Sequence, residues 1–140
     1  MSDVSQVRFV DYAGSVAKAM DLIGAKDGLP QSGLIIIKPN LTNADKPPVT
    51  TDVAAAEAVY DYCRAHSSAE IAIGEGCGNG VTQDAFEANG YAALAKKHRI
   101  RLIDFNQEPA LTLKRPDALQ LKEFHLPQVA QTPSSSPCRS

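Results

Sequence analysis

The sequence predicts an α/β fold: a mostly parallel sheet with helices on both faces, Rossmann-like, followed by a C-terminal β-hairpin. Three observations carry that expectation. Apolar, strand-like runs at residues 34–38, 71–73 and 100–105 alternate with stretches of helical period at 14–24, 52–65 and 82–98. Glycine, proline and capping residues stand at the borders of these runs. The composition, 44% hydrophobic and 21% charged over 140 residues, supports the core of one domain and is too short for two of ordinary size.

Taken in order, Val7-Arg8-Phe9-Val10 reads as a first strand. Val16, Met20 and Ile23 then recur at helical spacing, and Gly24 supplies the stop. Leu34, Ile35, Ile36 and Ile37 are consecutive aliphatics, three of them β-branched, which predicts a strand buried on both faces. Pro39 has no N–H for a sheet and holds Lys38 extended, so the strand ends there. Residues 39–51 hold no element, and loops of about a dozen residues in compact domains tend to be functional. Val53, Ala56, Tyr60 and Cys63 form one helical stripe with Val59 beside it, and Thr51 or Asp52 can cap the start. The strand Ile71-Ala72-Ile73 runs into a loop with glycines at 74, 76, 78 and 80. Helical sequence over 82–98 should break near Asn89-Gly90, and a strand follows from Ile100 to Phe105. Leu111–Lys114 and Leu119–Phe124, separated by Arg115-Pro116-Asp117-Ala118, read as a hairpin. The α/β domain should span residues 1–127. The Ser/Pro-rich stretch 128–140 has no apolar period and is expected to be disordered.

Several function classes fall away on composition. Fourteen basic and sixteen acidic side chains leave a net charge of −2, which gives no footprint for nucleic acid. No apolar run approaches the length of a membrane span, and the N-terminus lacks the basic start and apolar core of a signal peptide, which places the protein in the cytoplasm. Cys63, Cys77 and Cys138 are odd in number and widely spaced, against a disulfide framework or a Cys-x-x-Cys metal site. His66, His98 and His125 fall at element ends without ligand spacing. Lys96-Lys97-His98-Arg99 reads as a solvated helix end, where cations complement the dipole.

The chemistry-bearing residues gather at carboxyl strand ends, where open α/β sheets bind their ligands. The first such end supplies Lys38 and Asn40, the second Glu75, the third Asp104; Thr50, Thr51 and Asp52 start a helix on the same side. Lys38 can act as a charge clamp or, if desolvated, as a base or nucleophile, with Glu75 or Asp104 as acid–base partner. Its plain alternative is a lysine reaching for water from a strand end. The expected ligand is a small anion, with Asn40, Thr50, Thr51, Asp52, Gly76, Gly78 and Thr82 as binding residues, because helix starts and glycine loops offer free N–H groups. The glycine loop lacks the dinucleotide fingerprint, having Asn79 where a third glycine belongs, and no Gly-x-x-x-x-Gly-Lys occurs. A flexible turn is the competing reading. Asp52, Asp84, Glu75 and Asp104 have the oxygens a Mg²⁺ ion prefers, but no spacing supports a site, so no metal ligands are assigned. Cys77 reads as a small loop residue.

Ile35-Ile36-Ile37-Lys38-Pro39-Asn40-Leu41, the Thr50-Thr51-Asp52 helix start, Ile71-Ala72-Ile73-Gly74-Glu75-Gly76, Phe86-Glu87-Ala88-Asn89-Gly90-Tyr91 and Ile100-Arg101-Leu102-Ile103-Asp104-Phe105 together resemble the domain-of-unknown-function 362 family. The resemblance covers residue 6 to about residue 126. It implies a cytoplasmic α/β protein of a family often joined to ferredoxin-type modules that carry [4Fe–4S] clusters, and so an iron–sulfur redox context. This chain lacks closely spaced cysteines, so no cluster is expected in it alone. It also lacks the family's second half with its lysine-threonine-histidine element, which reads as truncation. Three functions are therefore open: an enzyme on a small anionic metabolite, a binding module using the same residues, or a catalytically inactive fragment or partner-dependent subunit. A ferredoxin-type protein and a second copy of the chain are the protein partners this leaves.

Overall fold

The first helix begins where Asp11 caps it, its carboxylate accepting the Gly14 N–H at 2.7 Å, and α1 runs over Tyr12–Leu22. Gly24, with φ of 63°, ends it as its sequence suggests. The computed structural model describes residues 3–131. No strand forms at residues 7–10, a correction to the sequence reading. Phe9 and Val10 are 61% and 80% exposed, and the Val10 N–H is spent on Ser15 Oγ at 3.0 Å, so this stretch leads into the helix.

Parallel strands β1, Leu34–Ile37, β2, Glu70–Glu75, and β3, Arg101–Asp104, make a sheet in the order β1-β2-β3. Its register pairs Ile37 with Ile73 and Glu75 with Asp104. The strand expected to be buried on both faces is a sheet edge, so Leu34, Ile35 and Ile36 are only partly buried. Helix α2, Val53–His66, joins the first two strands and packs on both. Of the two possible caps Asp52 takes the role, accepting the Ala54 N–H at 2.9 Å. Helices α3, Thr82–Ala88, and α4, Tyr91–His98, are separated by Asn89-Gly90, with Gly90 at φ of 82°. The main core joins Ile37, Ile71 and Ile73 to Ala56, Cys63, Phe86, Tyr91 and Leu94. Among the described residues no helix is long and apolar enough to cross a membrane.

The hairpin forms from β4, Ala110–Lys114, and β5, Glu123–Pro127, antiparallel. Its second strand lies later than the sequence suggests. Pairing Leu111 with Leu126 and Leu113 with Phe124 puts four apolar side chains on one face, and leaves Leu119 and Leu121 in the connection, 100% and 71% exposed. The expected disordered stretch opens with a 3₁₀ turn, Gln128–Ala130, anchored by the Gln128 N–H on the Pro109 carbonyl at 2.7 Å. The remainder, residues 132–140, lies outside the described residues. The fold is thus a mixed α/β one: a three-stranded parallel sheet flanked by helices, plus a C-terminal hairpin.

Candidate functional site

Parallel register puts the end of β1 and the end of β2 side by side, and their terminal residues meet. Lys38 Nζ donates to Glu75 Oε2 at 2.9 Å. The same oxygen accepts the Leu41 N–H at 3.2 Å, and Oε1 accepts the Gly76 N–H at 2.8 Å. A carboxylate side chain that is 6% exposed is tolerated only because both of its oxygens are bonded. The Lys38 side chain is 58% exposed, so the pair has an inside and an outside: the anion is buried and the cation faces solvent.

That ammonium opens on a cleft of about 430 Å³ between the sheet edge and the hairpin. Such a volume lies within the range of small-molecule sites, roughly 300–1,000 Å³. The cleft is lined by Lys38, Glu75 and Gly76 from the ends of β1 and β2, by Phe105 and Asn106 after β3, and by hairpin residues that include His125 of β5. Gly74 is required beneath it. A Cβ there would fall 2.4 Å from Phe105 Cζ, because the ring lies across the strand.

The other residues singled out in the sequence are placed elsewhere. Asp104 does not line the cleft; its Oδ1 accepts the Asn106 N–H at 2.9 Å, which fixes the turn after β3 and presents Asn106 instead. Asn40 and Thr51 close the base of the 39–51 loop on each other. The Asn40 N–H donates to Thr51 Oγ1 and the Thr51 N–H to the Asn40 carbonyl, both at 2.9 Å. Thr50 is buried, with its hydroxyl 2.9 Å from the Asp45 carbonyl and 3.0 Å from Asn89 Oδ1. Tyr91 donates its hydroxyl to the Thr51 carbonyl at 2.9 Å, and burial, reinforced by Asp52 and Glu75, holds its phenol well above the usual tyrosine range. These residues, with Asp52 at its cap, brace the loop.

The glycine loop is similarly committed. The Gly76 N–H goes to Glu75, the Cys77 N–H to Thr82 Oγ1 at 3.2 Å, and the Asn79 N–H to the Thr42 carbonyl at 3.0 Å. Asn106 Nδ2 reaches the Cys77 carbonyl at 2.9 Å and Thr82 Oγ1 at 3.3 Å, tying the loop to the β3 turn. Gly78 and Thr82 do not line the cleft, and three of the loop's N–H groups are spent on bracing it. Asn106 and His125 are the cleft residues the sequence reading missed. Asn106 carries a signal in its position two residues after a strand-end aspartate, where Asx turns form. His125 carries none, since only the hairpin register brings it near.

Among the described residues, no group of three or more His, Cys, Asp or Glu side chains is placed to hold a metal ion. Cys63 and Cys77, the cysteines among the described residues, belong to no such group, so the described residues offer no ligand set for a [4Fe–4S] cluster. Burial pushes the Cys63 thiol up, as suits a core residue of α2.

Fold and cleft together define a small mixed α/β protein with a solvent-facing lysine, held by a buried carboxylate, at the carboxyl ends of its parallel strands. Residues 35–132 match the family model described as Domain of unknown function (DUF362), and the chain belongs to that family. No curated protein and no solved structure matches it.

Proposed function

We propose that the cleft binds a small carboxylate- or phosphate-bearing molecule, with Lys38 as its charge contact and Asn106 as a polar neighbour. One observation carries this reading: the Lys38 ammonium is positioned by a buried, fully bonded Glu75 at the mouth of a cleft of ligand size. A lysine merely reaching for water needs no such anchor. The geometry favours binding over acid–base work by Asp104, which is outside the cleft. Mg²⁺ enters this reading only as a companion of a bound phosphate, since Asp52, Glu75 and Asp104 each accept a backbone N–H group. On the family resemblance alone, the reading extends to a cytoplasmic protein working beside a ferredoxin-type partner in iron–sulfur redox metabolism.

Calorimetric titration with phosphate, nucleotides and dicarboxylates, with and without Mg²⁺, tests the site. Saturable binding that disappears in Lys38→Ala is expected. Binding unchanged in that variant overturns the role of Lys38.

A further inference from the structure

We infer that His125 is the second cationic contact of this cleft and makes it selective for dianions, with affinity that rises as pH falls. The inference rests on the reading of the cleft as an anion site and deepens it. Lys38 and Glu75 form a neutral pair, so the sheet side alone brings no net charge to offset a bound dianion. On the hairpin side, Lys114 and Glu123 lie one pair further along the same face of β4 and β5 and neutralise each other at 3.5 Å. Asp104, at the end of β3, and Glu108, in the turn after it, do not line the cleft. Among the charged and titratable groups facing it, His125 is thus the one whose charge is not already balanced.

Its geometry suits the task. His125 is paired with Thr112 in the hairpin, and its Nδ1 lies 3.1 Å from Thr112 Oγ1. That contact engages one ring nitrogen and leaves Nε2 without a partner among the described residues. An imidazole is the side chain that can add a positive charge near neutral pH, so His125 is the group through which acidification would make this cleft cationic. Lys38 from the strand ends and the imidazolium from the hairpin would then both line the cleft, a pairing that rewards a compact dianion or short dicarboxylate over a monoanion.

The test uses the full chain and nuclear magnetic resonance titration at constant ionic strength. Sulfate and fumarate serve as probes, because both stay dianionic from about pH 8 to about pH 5.5, and acetate serves as the monoanion. The wild type should bind one or both dianions about fivefold to tenfold more tightly at the lower pH, and acetate with no such gain. His125→Gln should keep the affinity seen at the higher pH and lose the pH dependence; His125→Lys should bind tightly at both. Preference for sulfate indicates a phosphate-type ligand, and preference for fumarate a dicarboxylate; either supports the inference. Binding that needs Lys38 yet keeps its pH dependence in His125→Gln, or that shows none in the wild type, overturns the role of His125 alone. Absence of saturable shifts with every probe overturns the anion site itself.

Discussion

Removing Glu75 should cost the fold far more than removing Lys38, although the two are partners. In Glu75→Ala, the Leu41 N–H loses its acceptor in a buried place, Leu41 being 0% exposed, and the Gly76 N–H loses its own in a partly buried one. Each of the two orphaned donors costs roughly 1–3 kcal/mol, while the Lys38 ammonium left behind is solvated, so a loss of about 4 kcal/mol is expected. In Lys38→Ala, Glu75 keeps both N–H bonds and loses a partner that is more than half exposed. That pair resembles a surface ion pair, and the expected loss is about 1 kcal/mol. Urea unfolding followed by circular dichroism separates the two. With a slope of about 2 kcal/mol/M, the midpoint should fall by roughly 2 M for Glu75→Ala and about 0.5 M for Lys38→Ala. Equal losses in the two variants would falsify the view that the N–H groups, not the ammonium, are what Glu75 chiefly satisfies.

Three further outcomes follow from the packing. Gly74→Ala drives a methyl into the Phe105 ring and to 3.2 Å from Ile36 Cγ2, so a loss of about 1–3 kcal/mol in thermal unfolding is expected, and it should shrink in Gly74→Ala/Phe105→Leu. The Glu57 carboxyl is held below its usual range by hydrogen bonds from Lys97, then from His98. A depressed carboxyl stabilises the fold above its ordinary titration range and ceases to as pH falls through its folded value. Glu57→Gln should therefore remove a small stability decline on acidification from about pH 5 downward, under about 1 kcal/mol for this partly exposed group. Tyr91→Phe removes the donor to the Thr51 carbonyl; about 1 kcal/mol of stability should go, with faster amide exchange at Asn40 and Thr51 but unchanged exchange in β2.

What could be read from the sequence was local. Gly24 and Gly90 need positive φ and mark their breaks, Asp52 is a side chain suited to capping, and Pro39 closes a strand that has to stop. Lys38 and Glu75 were legible as neighbours because both follow apolar runs, and a parallel sheet aligns the ends of such runs. The misses were nonlocal. Residues 7–10 alternate like a strand, yet strand formation needs a partner edge, and the Val10 N–H serves the helix entry instead. Leu119 and Leu121 match the period of a hairpin strand as well as Phe124 and Leu126 do; cross-strand matching to Leu111 and Leu113 decided between them. Asp104 and Thr82 had chemistry suited to a site, but the Asn106 and Cys77 N–H groups took that chemistry for local structure.

The same accounting bears on what the Lys38–Glu75 pair is for. A general base needs a free lone pair facing the substrate, within hydrogen-bond reach. Glu75 gives one oxygen to Lys38 and Leu41 and the other to Gly76, so a proton arriving on either oxygen meets donors where it would need an acceptor. Lys38 stands in the opposite position. Its ammonium has three donors, of which Glu75 takes one, and the side chain faces the cleft from a fixed base. Two directed N–H groups on an anchored cation suit a charge clamp better than a proton shuttle. The cost of the buried carboxylate is then understandable, since it holds the lysine in place for a ligand while leaving it exposed enough to meet one.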